Sequence, residues 1–260
     1  MKKLILPVIS ILYLMIPVTG IGAEQMDASQ AVNVAGSQRM LSQRMVKAYS
    51  QVGLNEYFGA PDQQIKDGVA LFERNLTNLA PFIGEGEAAL AAAEVRKQWA
   101  DYKALVTTTP TRENARKLYD VSEQLLTATQ KMVDAIQTAT GVKTGALVSM
   151  AGRQRMLSQR MAMFYMLKIW GISDQASEKQ AQSAHDEFIS AQSKLLKEPR
   201  NTPEITSDLN MVANSLKLLD HSLKSQEGLT YTVATTSEKM LKTMDDVTHA
   251  YAALEQPASK

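Results

Sequence analysis

Residues 35–45 read AGSQRMLSQRM and residues 151–161 read AGRQRMLSQRM, one eleven-residue run occurring twice with a single difference, Ser37 against Arg153. Two arginines, two glutamines and a serine recur together, which apolar patterning alone does not require, so the repetition points to a duplicated site. The runs lie 116 residues apart (Ala35 to Ala151), and a fixed-period repeat decides architecture before any local reading. The register persists outside the run: Phe72 meets Phe188 and Leu79 meets Leu195 at the same offset, and Ser122-Glu123 meets Ser237-Glu238 at an offset of 115. Helix-breaking stretches repeat as well, 53–61 answering 171–173, 81–86 answering 199–203 and 107–110 answering 226–228. Beyond its first 23 residues the chain is therefore expected to be two copies of one four-segment unit, 24–141 and 142–260.

The first 23 residues stand apart. Lys2 and Lys3 precede an apolar run from Leu4 to Val18, and Gly20, Gly22 and Ala23 follow, which is the order of a cleavable secretory signal peptide. The run is short for a membrane span and is interrupted by Pro7 and Pro17. Ile21 is larger than the residue usually found three positions before such a cut. The expectation is a periplasmic protein with no stable membrane insertion after cleavage.

Removal of residues 1–23 leaves 26 Lys plus Arg against 27 Asp plus Glu, and that balance offers no electrostatic footprint for nucleic acid. There are no cysteines, in keeping with an exported chain whose repeats are each large enough to bury a core without disulfides. His185, His221 and His249 are scattered singly, which does not suit a zinc site. Met161, Met163 and Met166 near Trp170 suggest copper(I) at first sight, but without histidine or cysteine companions they read as adaptable core filler. No nucleophile elbow, phosphate loop, zinc-protease helix or kinase signature is present, so no enzyme, cofactor or metal is expected.

Between the breakers run segments of about 20 to 30 residues rich in Ala, Gln, Glu, Lys, Leu and Met, strong helix formers. The expected helices cover 29–52, 61–80, 86–107 and 111–140 in the first repeat, and 146–170, 173–197, 203–225 and 229–255 in the second. Apolar residues recur at spacings of three and four, as in Val69, Phe72, Leu76 and Leu79, with a looser stripe through Leu118, Val121, Leu125 and Met132. The fold class is all-α, as two tandem four-helix bundles. Gly141 suits the left-handed position after a helix and Thr144 an N-cap, so a turn at 141–145 sets the bundles side by side as an intramolecular pseudo-dimer, whereas a continuous helix would stack them end to end.

On the first motif helix, Val34, Gln38, Leu41, Met45 and Ala48 share one face, the expected core stripe. Ala35, Gly36, Arg39 and Gln43 share another, where small residues admit a second helix backbone and Arg39 projects beside the crossing. Arg44 and Ser37 lie on a third face. Arg39 and Arg155 are candidate ligand residues, although an arginine on a helix also serves to pair with carboxylates or carbonyls.

The run AGSQRMLSQRM closely resembles the start of the PilJ-type N-terminal domain of type IV pilus chemotaxis transducers. It is also similar to the signature helix of NarX/NarQ-type nitrate/nitrite sensor kinases, with Ala35, Gly36, Ser37, Arg39, Met40, Ser42 and Arg44 in agreement and Gln38, Leu41, Gln43 and Met45 departing. In those kinases nitrate binds where the first helices of two protomers meet, so the resemblance implies a site formed by Gly36, Arg39, Gly152 and Arg155, with Ala35, Gln43, Ala151 and Gln159 in support. Arg44, Arg153 and Arg160 are assigned to partner docking or structure. A flat guanidinium fork matches a flat oxyanion.

Transducers and kinases of this kind continue into a second membrane helix and a signalling domain, whereas this sequence runs to Lys260 with neither. The expected function is non-catalytic: a periplasmic sensory protein that binds a small anion such as nitrate or nitrite and relays its state to a membrane-bound chemotaxis transducer or sensor kinase. The alternative is a pilus- or envelope-associated adaptor that docks proteins and binds no small ligand.

Overall fold

The computed structural model describes residues 26–142, 145–225 and 228–255, so the expected signal peptide and Thr144 lie outside the described residues. The described residues form nine helices and no strand: α1 (Ala28–Gly53), α2 (Pro61–Asn78), α3 (Ala80–Ile83), α4 (Glu87–Val106), α5 (Arg112–Thr140), α6 (Ala146–Ile169), α7 (Gln175–Leu196), α8 (Pro203–Lys224) and α9 (Thr230–Glu255). The all-α reading holds.

Helix starts follow local chemistry. The Asp27 carboxylate accepts from Gln30 N at 2.7 Å while the Gln30 side chain accepts from Asp27 N, closing a capping box on α1. Thr111 caps α5, and Thr202 followed by Pro203 caps α8. Asp174 caps α7 through Ser177, which is why that helix begins at Gln175 and not near 173. Gly141 ends α5 at φ 66°, the left-handed position expected of it, and Gly145 occupies the cap before α6. The short α3 was not expected: the chain makes one extra turn at Pro81 before Gly84 breaks it.

Two apolar cores form. The helices α1, α2, α4 and α5 close around Tyr49, Phe72, Trp99, Tyr102 and Leu118, with the Phe72 and Trp99 rings stacked at 3.9 Å. The helices α6 to α9 close around Phe188, Leu209, Met240 and Tyr251. The cores are not independent, because Met163, Phe164, Leu167 and Trp170 of α6 pack into the first one.

Their junction is the packing of α1 on α6. Asn33 meets Arg155, Gln43 meets Arg160 and Gly53 lies against Trp170, so the partners climb in number together and the two helices run the same way. A helix between two cores has no solvent face. From Leu41 to Gln51 only Arg44 escapes burial, and from Gln154 to Leu167 nothing does. The single core stripe expected on the motif helix is thereby corrected: α1 and α6 are buried almost all round, and their polar side chains must be satisfied inside the protein.

Candidate functional site

Gln38 and Ser42, with their counterparts Gln154 and Ser158, are held by structural bonds made in both copies. Gln38 Nε2 donates to the Phe72 carbonyl at 3.1 Å, and Gln154 Nε2 to the Phe188 carbonyl at 3.0 Å. Ser42 and Ser158 each donate to the carbonyl three residues earlier at 2.9 Å. Ala35 and Ala151 are buried in the cores.

The second arginine of each motif crosses to the other half. Arg44 grips Glu238 of α9 with Nε at 3.0 Å from Oε1 and Nη2 at 2.7 Å from Oε2. Arg160 grips Glu123 of α5 with Nη2 at 2.7 Å from Oε2, and its Nη1 donates to Gln43 Oε1 at 2.8 Å. Gln159 Oε1 in turn accepts from Lys47 Nζ at 2.8 Å, and Lys47 also pairs with Glu238. The two ion pairs are thus exchanged between the halves at equivalent positions. Arg44, Arg160, Gln43 and Gln159 belong to this ion-pair and hydrogen-bond lattice and do not line the cleft between the motif helices. Burial works to raise the Glu238 carboxyl, but Lys47 and Arg44 outweigh it and hold it at about 2, while Lys47 itself, wholly buried, is lowered despite Glu238.

The first arginine of each motif does something else. Near the start of the α1–α6 contact a cleft of about 280 Å³ opens between α1, α5 and α6, lined by Asn33, Gly36, Arg39, Gln130, Asp134, Gln137, Ser149, Gly152, Arg153 and Arg155 among others. The structure thus brings together Gly36, Arg39, Gly152, Arg155 and Arg153, and leaves Ala35, Gln43, Ala151, Gln159, Arg44 and Arg160 outside the cleft lining. The glycines act differently from the expectation that they admit the facing backbone. A Cβ built on Gly36 would stand 3.3 Å from Arg39 Nη2, and one on Gly152 the same distance from Arg155 Nη2. Each glycine clears room for the guanidinium of its own helix to fold back across one turn, as the bond from Arg39 Nε to the Gly36 carbonyl at 3.3 Å also shows.

Arg39 Nη1 donates to Gln130, and Gln130 Nε2 passes on to Asp134 Oδ1 at 2.8 Å. Arg155 Nη1 pairs with Asp245 of α9, its Nη2 donates to Asn33 Oδ1 at 2.5 Å, and its buried Nε has no hydrogen-bond partner among the described residues. Arg153 pairs with Glu187 of α7. Burial, and then the charges of Arg153 and Arg155, bring the Arg39 guanidinium down to about 10. A cation so crowded gains from an anion placed beside it.

Sequence reasoning missed Asn33, Gln130, Asp134 and Asp245. One signal for two of them was present, since Gln130 and Asp245 are separated by the same 115 residues as Glu123 and Glu238. A second cavity, about 330 Å³, lies between α6, α7 and α8 around Phe164 and Ile172, with His185 Nε2 bonded to Asp220 at 2.7 Å on its wall; no repeated polar residue lines it. Met161, Met163 and Met166 are buried in the cores, and among the described residues no cluster of His, Cys, Asp and Glu is arranged to hold a metal.

A family model described as the N-terminal domain of type IV pili methyl-accepting chemotaxis transducers matches residues 23–100 and 136–253, two segments that together span more than half of the chain. No curated protein and no solved structure matches.

Proposed function

Because the chain belongs to the family of type IV pili methyl-accepting chemotaxis transducer N-terminal domains, a sensory and not a catalytic family, we propose that it is a sensory protein whose two halves act as a pseudo-dimer sharing one oxyanion site. In this reading the ligand is a small planar anion of the nitrate or nitrite kind, held between Gly36 and Arg39 of one half and Gly152 and Arg155 of the other. Sensor domains of this family are typically extracytoplasmic, and no described helix is long and apolar enough to cross a membrane. Periplasmic export through residues 1–23 and relay to a membrane-bound transducer or kinase complete the proposal.

The observation that carries it is the convergence of both motif arginines, and of the glycines that make room for them, on one cleft. Charge-assisted bonds from guanidinium to an oxyanion are among the stronger hydrogen bonds. One observation favours the adaptor reading instead: Arg155 and Arg153 already hold carboxylates, as structural arginines do.

A thermal-shift screen of the mature protein separates the two. An anion present at about a hundred times its dissociation constant stabilises the folded state by roughly 2.7 kcal/mol, which for a chain of this size raises Tm by about 5 to 10 °C. Nitrate, nitrite, small carboxylates and sulfate form the series. A response to a planar anion supports the sensory site, and a flat response to all of them supports the adaptor.

A further inference from the structure

The two halves of the cleft are not equivalent. Gln130 and Asp245 occupy matching places on α5 and α9, separated by the 115 residues that also separate Glu123 from Glu238, and each receives Nη1 of its own half's motif arginine. One is a neutral amide and the other a carboxylate. Arg155 is only 5% exposed, and both its terminal nitrogens are engaged, by Asp245 on one side and Asn33 on the other. Arg39 has the amide of Gln130 on Nη1, and its Nη2, beside Gly36, donates to none of the described residues. The copies also differ at Ser37 and Arg153, and Arg153 brings a third guanidinium to the rim, where Glu187 holds it through Nε and Nη2.

A charge count follows from those pairings. Asp245 neutralises Arg155 and Glu187 neutralises Arg153, while Arg39 reaches a carboxylate only through Gln130, at Asp134. One half-buried cation, Arg39, is left without a carboxylate in direct contact among the described residues, and Asp134 stands on the same wall to repel surplus negative charge. A half-buried cation with no carboxylate in contact gains from a single negative charge on Nη2, whereas a second would face Asp134 with no cation to answer it.

We propose that Arg39 is the anion-binding arginine, that Arg155 is a positioning residue locked by Asp245 and Asn33, and that the cleft selects one monovalent oxyanion against divalent ones. This rests on the anion-binding reading of the cleft. Gln130 and Asp245 then set the ligand's charge, because exchanging amide for carboxylate at either place changes the number of uncompensated cations by one.

Titration calorimetry on the mature full-length protein tests this with nitrate, nitrite, formate and acetate against sulfate. Arg39→Ala is expected to weaken binding of the monovalent ligand a hundredfold or more, and Arg155→Ala tenfold or less. Arg155 is buried and its removal endangers folding, so two variants at less buried positions carry the same question: Gln130→Glu should weaken monovalent binding at least tenfold, and Asp245→Asn should admit sulfate. Equal losses from Arg39→Ala and Arg155→Ala in folded proteins, or unchanged binding in Gln130→Glu, overturn the asymmetry while leaving the anion site standing. Sulfate binding to the wild type as tightly as nitrate overturns the charge selection. If no anion in the series binds the folded wild type, the anion-binding reading itself falls and this inference falls with it.

Discussion

Lys47 carries its charge at 0% exposure, and the second repeat holds Met163 at the matching place. Its ammonium is tolerable because Glu238 meets it, together with Gln159 and Ser237. Removing one partner of a buried pair leaves an uncompensated charge, whereas replacing a buried charge by an apolar group of similar size is often neutral or stabilising. Glu238→Gln should therefore destabilise the protein by about 3 kcal/mol in urea unfolding. Lys47→Met should cost less than about 1 kcal/mol or stabilise, since Arg44 continues to satisfy Glu238. The pH dependence has a definite sign. The Glu238 carboxyl, depressed from 4.5 to about 2, contributes stability that is fully present above about 4.5 and is lost progressively as pH falls toward about 2. A Glu238→Gln protein should show a flatter acid limb, and an equally steep one would contradict the pairing. Recurrence in the sequence flagged Arg39, Arg44, Arg155 and Arg160 alike. Helical periodicity then set Arg44 and Arg160 on a different face from Arg39 and Arg155, but it did not disclose that the former pair exchanges ion pairs across the halves, because it fixes the face a side chain leaves from and not the element that face meets.

The helices themselves were legible because breakers and caps are local: Gly141, Thr111, Pro203 and the 53–61 stretch bound them in the sequence much as they do in the structure. What was not legible was burial all round α1 and α6. Their core stripes look ordinary, and the residues that betray double-sided packing, Gln38, Gln43, Ser42 and Lys47, are polar. Gly53 is a case in point. A Cβ there would stand 2.1 Å from the Trp170 ring, so α1 passes the end of α6 only because residue 53 has no side chain. Gly53→Ala should destabilise by about 1 to 3 kcal/mol through overpacking, and the penalty should shrink in a Trp170→Leu background, where the ring is gone. Additive losses in that double-mutant cycle would mean the ring and the glycine do not oppose each other.

At the scale of the molecule, a period of 116 residues already contained the arrangement of equivalent helices, and the family match in two segments agrees with it. The sequence did not disclose that the motif arginines of the two copies meet unequal partners at the cleft. That inequality rests on Gln130 against Asp245, two residues far from the motif that reach it only when α5 and α9 pack beside α1 and α6. A site shared by two halves has one consequence that neither half alone can mimic, its stoichiometry. Calorimetric titration of the mature wild type and of the Arg39→Ala/Arg155→Ala protein with nitrate or nitrite reads it directly. The account predicts one anion bound per chain in the wild type and none in the double variant. Two anions per chain, or binding that survives the loss of both arginines, would contradict it.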